Sequence, residues 1–352
     1  MDSQELAALI AFAPADCRYL TGFTGEAAAV VVTRNDLALV SDSRFTVQAA
    51  EEVPHTRLLL SDNGSDDVLI DFLLQSPAMC DQSQTIGIES GHLTVKRWER
   101  LRQQLDEKNF GWRLVDGLVE QARRIKFADE LEAMRAAGAL TASVMTHLES
   151  IPVVGRTERD IALELELYLR RRGSEGIAFT FIVAAGPRGA MPHGEASDAV
   201  IPPDALLVVD LGSVVDGYAS DLTRTYATGD VTEELRAAYE AVMVAQAEAV
   251  AAVRAGIACR DVDKVARDRL ASAGLADLFV HSLGHGVGLE IHEGPSLSSR
   301  SDDVLEAGMV VTVEPGVYLP GRGGVRIEDT VLVTSEGAEI LTECPRELRR
   351  LR

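Results

Sequence analysis

Four acidic residues stand where acidic residues are costly. Asp210 ends the apolar run LLVVD, Asp221 opens DLTRTY, Glu314 closes MVVTVE ahead of Pro315-Gly316, and Glu328 interrupts GVRIEDTVLV. Three of these runs are rich in Val, Leu and Ile, and all four segments read as strand-like. A carboxylate is rarely buried unless it is paired or bound to a metal. Any one of the four, taken alone, fits a strand end in water. Four of them together with His285, in the Gly-rich run LGHGVG, form an oxygen-rich donor set with one imidazole. That set suits Mn²⁺, Co²⁺, Fe²⁺ or Zn²⁺ better than it suits a thiolate zinc site. Four carboxylates also carry the charge that two divalent ions neutralise.

The chain has 352 residues, beyond the size at which one core stops growing, so two domains are expected. In the first 120 or so residues, Ala27–Val32 and Leu39–Val40 flank Thr33-Arg34-Asn35-Asp36, the pattern of a hairpin. Leu58–Leu60 and Ile86–Ile88 are further strands, and Val68–Leu74 and Val95–Leu105 have helical spacing. Leu6–Phe12 reads as the first turns of a helix. This is the pattern of a small α/β domain. A charged junction, EQARRIKF (Glu120–Phe127), follows, and the boundary is placed at residue 122, giving domains 1–122 and 123–352. Beyond it come helical patterns over Asp129–Leu148, Thr157–Arg171, Glu233–Ala255 and Arg260–Ala273. Strand-like runs lie at Phe179–Ala184, Leu206–Leu211, Thr223–Tyr226, Met309–Val313, Val325–Val333 and Glu339–Leu341. Without a strict βαβ rhythm, the expected class is α+β with an antiparallel or mixed sheet.

A net charge of −21 and a pI near 4.7 repel phosphate backbones and anionic lipid, which argues against nucleic-acid and membrane partners. No apolar stretch approaches a membrane span. Cys17, Cys80, Cys259 and Cys344 are dispersed, with no CxxC pair, as in a reducing compartment. Cys80 and Cys259 read as small buried residues. The first residues, MDSQE, lack the basic start of a secretory signal, so a cytoplasmic location is expected. There is no GxSxG elbow, and the glycines at 284, 286 and 288 form no GxGxxG in a βαβ context. Those glycines also argue against a helical zinc pair from His281 and His285. His55, His92 and His147 carry no signal beyond ordinary histidines.

Five segments resemble the pita-bread metallopeptidases: VDLG (Val209–Gly212), SDLTRT (Ser220–Thr225), HSLGHGVGLEIHE (His281–Glu293), VEPG (Val313–Gly316) and VRIED (Val325–Asp329). Their order and spacing are similar to those of the aminopeptidase P and prolidase branch. RRIKFADELEAMRAAG resembles the start of that catalytic domain, and YLTGFTG and SDSRF resemble a creatinase-type N-terminal domain. The resemblance implies an α+β pita-bread catalytic domain with a smaller α/β creatinase-like domain ahead of it. It implies two divalent metal ions, Mn²⁺ first and Co²⁺ or Zn²⁺ as alternatives. Asp221, His285, Glu314 and Glu328 would hold one, and Asp210, Asp221 and Glu328 the other. Glu314 would also carry a proton from water to the leaving nitrogen. His292 would donate to the scissile carbonyl, and His193 would assist in binding or proton movement. His281 and Tyr318 would line a proline pocket and support the metal ligands, and Arg326, a further substrate-side residue, would back those ligands from two residues before Glu328 on the same strand face.

The activity so implied is removal of an N-terminal Xaa from Xaa-Pro-peptides, an Xaa-Pro aminopeptidase. The alternative is an Xaa-Pro dipeptidase (prolidase). Methionine aminopeptidase shares the catalytic fold, but the long N-terminal region and GLEIHE argue against it. A non-catalytic pita-bread binding module is a third possibility, and such modules usually lose ligands that this chain keeps. Partners implied are proline-containing peptides and a second copy in a homodimer. Arg44, in SDSRF, is the one cation singled out as a clamp for a dipeptide's carboxylate; a structural pairing with Asp42 is the other reading of it.

Overall fold

The computed structural model describes residues 5–25, 29–61, 66–79 and 84–352. The chain divides into two compact units, Met1–Arg123 and Arg124–Arg352.

The first unit runs β1 (Leu6–Ala11), α1 (Pro14–Thr21), β2 (Ala29–Thr33), β3 (Leu37–Ser41), α2 (Thr46–Glu52), β4 (Arg57–Leu60), α3 (Asp67–Gln75), β5 (Thr85–Glu89), α4 (Val95–Glu107), β6 (Gly111–Val115) and α5 (Leu118–Arg123). Among the described residues its strands form one sheet in the order β4-β3-β2-β1-β5-β6. The 33–36 turn closes as a hairpin, with Asp36 N–H donating to Thr33 Oγ1 at 3.0 Å. Leu6–Phe12, expected to open a helix, is instead the central strand β1. All six of its residues are buried, because one face meets Leu69, Leu73 and Leu101 and the other meets Val115 and Val119. A short, continuously apolar run is what a strand covered on both faces requires. Cys80 lies outside the described residues; among the described residues Cys17, Cys259 and Cys344 form no disulfide.

Arg123, at the end of α5, pairs with the wholly buried Asp16 of α1 at 2.6 Å. Breaking a buried pair from one side leaves a charge with no compensation. Arg123→Met is therefore expected to cost about 3–5 kcal/mol, read as a lower urea midpoint. An unchanged midpoint would show the pair to be dispensable.

The second unit opens with two helices, α6 (Ala128–Ser150) and α7 (Glu158–Arg171), the latter capped by Thr157 Oγ1, which accepts Asp160 N–H at 3.0 Å. There follow β7 (Gly176–Ile177), β8 (Ile182–Ala185), β9 (Leu206–Leu211), β10 (Ser213–Val215), β11 (Tyr218–Ala219) and β12 (Leu222–Ala227). Helices α8 (Glu233–Ala252) and α9 (Cys259–Ser272) come next. The chain ends in β13 (Gly284–Gly286), β14 (Glu293–Leu297), β15 (Val310–Val313), β16 (Gly316–Leu319), β17 (Gly323–Arg326), β18 (Asp329–Val333) and β19 (Ala338–Ile340).

Two antiparallel sheets matter for the site, β12-β9-β8 and β14-β13-β15-β18-β19. Apolar residues of α6 and α7 pack with the first through Val144, Leu148, Leu165, Val183, Val209 and Leu222. Those of α8 and α9 pack with the second through Val242, Ala266, Val311 and Val331. The sheets are tied by Glu328 N–H donating to Thr223 O at 3.1 Å and Thr330 Oγ1 donating to Asp221 O at 2.8 Å. The polar residues of both sheets therefore meet at this seam. No helix among the described residues is long and apolar enough to cross a membrane.

Candidate metal centre and peptide pocket

Each acidic residue singled out above sits where a strand delivers it to the seam. Asp210 lies on β9 opposite Thr223 of β12, and Asp221 immediately precedes β12. Glu314 follows β15, Glu328 lies between β17 and β18, and His285 is the middle residue of β13. The glycines flanking His285 are needed for packing. A Cβ at 284 would strike Thr312 O, and one at 286 would strike Gly294 O. Only glycine lets β13 come this close to its neighbours.

The five side chains converge. Ligand atoms of Asp221, His285 and Glu328 all lie within 4.8 Å of one another. His285 Nε2 is 3.6 Å from Asp221 Oδ2 and 3.4 Å from Glu314 Oε1. His285 Nδ1 lies 3.0 Å from Gly286 O, so Nδ1–H donates there and the Nε2 lone pair faces the carboxylates. Burial pulls the His285 imidazole down to about 4, leaving it neutral at pH 7 and able to donate that lone pair. Asp210 stands slightly apart, its Oδ2 accepting Arg326 Nη2 at 2.5 Å.

The carboxylates are under strain from one another. Burial, followed by repulsion from Glu328, Asp210 and Glu314, raises Asp221 well above the usual carboxylate range. Glu328 is raised for the same reasons, burial first and then Glu314 and Asp210. Burial pushes Glu314 up to about 8. Asp210 Oδ1, Asp221 Oδ1 and Glu328 Oε1 are buried and find no hydrogen-bond partner among the described residues. Oxygen atoms in this position cost free energy unless a cation takes up their lone pairs. Clustered anionic oxygens with free lone pairs, beside a neutral imidazole, fit a divalent metal.

A cavity of about 470 Å³ opens onto this centre. It is lined by ten of the residues singled out from the sequence, His193, Asp210, Asp221, His281, His285, His292, Glu314, Tyr318, Arg326 and Glu328, and not by Arg44. His193 is exposed in the turn beyond β8. The His292 ring meets that of His285 edge to face, 4.4 Å between centroids. Its loop is anchored by the next residue, Glu293, whose carboxylate accepts Glu290 N–H at 3.0 Å and the buried Lys126 Nζ at 3.2 Å. On another wall, Tyr318 Oη lies 2.8 Å from His281 Nε2 and accepts Arg326 Nη1 at 2.9 Å. Arg326 is buried, and its donors go to Thr223 Oγ1, Pro192 O, Tyr318 Oη and Asp210 Oδ2. It is committed to holding the wall and Asp210 in place. Arg44 is exposed in the first unit, with its guanidinium on Asp42 at 2.7 and 2.9 Å.

Several participants were not singled out in the sequence. Thr223 Oγ1 donates to Glu328 Oε2 at 2.7 Å, and Thr312 Oγ1 accepts His285 N–H at 3.1 Å and donates to Glu314 Oε1 at 3.3 Å. Thr312 lies two residues before Glu314 on the same face, which was its signal, whereas Thr223 lies 105 residues from Glu328 and nothing local marked that pairing. Phe179, Thr180, Ile182 and Ile291 also line the cavity, and nothing local distinguished them from core residues.

Comparison with known proteins agrees with this geometry. Residues 132–335 match the model of metallopeptidase family M24, and residues 1–125 match the creatinase/prolidase N-terminal domain. The Xaa-Pro dipeptidase of Pyrococcus furiosus is 43% identical over 267 residues, 76% of each chain. A solved Xaa-Pro dipeptidase from Bacillus anthracis superposes with a TM-score of 0.92 at 36% identity, covering 99% of this chain and 96% of that one. An X-Pro aminopeptidase from Thermotoga maritima gives a TM-score of 0.88 at 34% identity, covering 98% of both. With its clustered carboxylates and imidazole, its two-unit α+β architecture and these relatives, the chain belongs to metallopeptidase family M24, in the pita-bread Xaa-Pro peptidase branch.

Proposed function

We propose that this protein hydrolyses the Xaa-Pro bond of dipeptides, using two divalent ions. The observation that carries this reading is the convergence of four carboxylates and one neutral imidazole, with three buried carboxylate oxygens unpartnered, at the floor of a peptide-sized cavity. Asp221 and Glu328 would be shared between the ions, with His285 and Glu314 completing one site and Asp210 the other. Mn²⁺ is proposed first, and Co²⁺ or Zn²⁺ also suits the mixed donors. When bound, such ions lower the pKa of water and polarise the scissile carbonyl.

The chain's own residues divide the remaining work. Glu314, at the centre, takes the proton of the attacking water and returns it to the proline nitrogen as that bond breaks. His292 donates its ring N–H to the carbonyl oxygen as negative charge builds there. The His281–Tyr318–Arg326 wall meets the proline ring. Proline's nitrogen carries no hydrogen and its ring locks φ, so recognition rests on shape rather than on an N–H contact. His193, exposed at the cavity edge, supplies a donor to the substrate. A homodimer in the cytoplasm is the proposed setting.

Dipeptides are placed first because the relatives at high identity include Xaa-Pro dipeptidases. This is the alternative to the aminopeptidase expected from the sequence resemblance, within the same family. The deciding measurement is kcat/KM for Ala-Pro against Ala-Pro-Ala. Recognition of the proline carboxylate by a charge-assisted hydrogen bond favours the dipeptide by about tenfold or more. A preference for the tripeptide would restore the aminopeptidase reading.

A further inference from the structure

We infer that the Asp263–Arg267 pair on α9 is a positioning device for His281 and, through it, for the wall that meets the proline ring. The inference rests on the peptidase reading above and goes beyond it, because neither residue lines the cavity or belongs to its donor set.

Asp263 is wholly buried, whereas the Arg267 side chain is 34% exposed. The two are one helical turn apart on one face of α9. Arg267 Nε donates to Asp263 Oδ2 at 2.6 Å and Nη2 to Asp263 Oδ1 at 3.1 Å, a bidentate pair that fixes the plane of the guanidinium. With its plane set, Arg267 reaches off the helix. Nη2 donates to His281 O at 2.6 Å and Nη1 to Phe279 O at 3.3 Å. The guanidinium also covers the Phe279 ring, 4.4 Å from its centroid, and that ring stands edge-on to the His281 imidazole at 5.1 Å and 88°. Asp263 Oδ1 takes a share of Leu283 N–H at 3.1 Å, a donor that also reaches Leu297 O at 2.8 Å.

Residues 279–282 are irregular backbone between a short 3₁₀ turn (Ala276–Leu278) and β13. Their carbonyls have no strand ladder to fix them, and the ion pair takes that role at 279 and 281. The output reaches the site through hydrogen bonds. His281 Nδ1–H donates to Ser282 O at 2.8 Å, so Nε2 accepts from Tyr318 Oη–H at 2.8 Å. Tyr318 Oη in turn accepts Arg326 Nη1, and Arg326 Nη2 holds Asp210. A second branch runs through Leu283, whose carbonyl accepts Glu314 N–H at 2.8 Å. A small rotation of the 279–283 segment would therefore tilt the proline wall before it disturbed the carboxylates, which other bonds also secure.

A purely structural pair would affect stability and treat all substrates alike. A positioning pair would affect the recognition of proline. The test uses the full-length, metal-loaded enzyme with Arg267→Ala and Arg267→Lys, measured on Ala-Pro and Ala-Ala. Where Ala-Ala turns over too slowly, its Ki as a competitor of Ala-Pro replaces its KM. Arg267→Ala is expected to raise KM for Ala-Pro about tenfold while kcat changes less than about threefold and the Ala-Ala constant less than about twofold. Arg267→Lys, which keeps a cation beside Asp263, is expected to shift the same constants in the same direction by less. If Arg267→Ala does not fold, the lysine variant carries the same comparison. Equal effects on both substrates, or a fall in kcat alone, would overturn the inference. A wild-type enzyme that handles Ala-Pro and Ala-Ala alike would overturn the proline reading and this inference with it.

Discussion

Stripping divalent metal from this protein is expected to reduce Ala-Pro hydrolysis to background, and Mn²⁺ or Co²⁺ to restore it. The reason lies in the carboxylates. Asp221 and Glu328 are buried beside each other and beside Glu314, and burial together with mutual repulsion raises both well above the usual carboxylate range. Without a cation, protons must supply the missing positive charge. Metal and protons therefore compete for the same oxygens, and loading must release protons. Lower pH favours the protonated carboxyls and weakens metal affinity, so the Mn²⁺ needed for half-maximal activity should rise as pH falls. Asp221→Asn or Glu328→Gln should lose metal at any pH, since each removes a charge and an oxygen that the centre needs. The measurements are metal content by elemental analysis and turnover of Ala-Pro on the same sample. Full activity in a preparation verified to be metal-free would sink the assignment.

Replacing His292 by alanine should have a different signature, with metal retained and turnover lost. His292 sits on the cavity wall against His285 and outside the cluster of ligand atoms. Partial desolvation, with a further contribution from His193, pulls its pKa below the usual histidine value and so favours the neutral ring, which carries an N–H rather than a full charge. A neutral donor held in place is suited to a carbonyl oxygen that becomes negative only in the transition state. Loss of one such donor costs on the order of 100- to 1000-fold in kcat. The loop that presents it is pinned by Lys126 and Glu293, so alanine should leave the loop in place. A His292→Ala enzyme fully active on a short Xaa-Pro substrate would remove the residue from the chemistry.

The carboxylates that meet at the cavity were legible in the chain because each broke a local rule. A carboxylate at the end of LLVVD or in the middle of GVRIEDTVLV contradicts its neighbours, and the contradiction is visible without any partner. The same holds for His285 between glycines. Helices were legible where caps and period agreed, as at Thr157 before α7. β1 was not, since a short, wholly apolar run carries no period and only its place in the middle of a sheet makes it a strand. The partners of the donors were hidden for another reason. Thr223 meets Glu328 across 105 residues, Arg326 meets Asp210 across 116, and Lys126 meets Glu293 across 167. Nothing in a local window records such a pairing. A threonine, arginine or lysine is ordinary on any surface, and only the folded arrangement of distant segments buries these residues and fixes what each can bond. The chain alone thus marks which groups are too costly to bury without a cation. Folding decides which oxygens remain unpaired, which arginine is already committed, and how the wall facing the substrate is held.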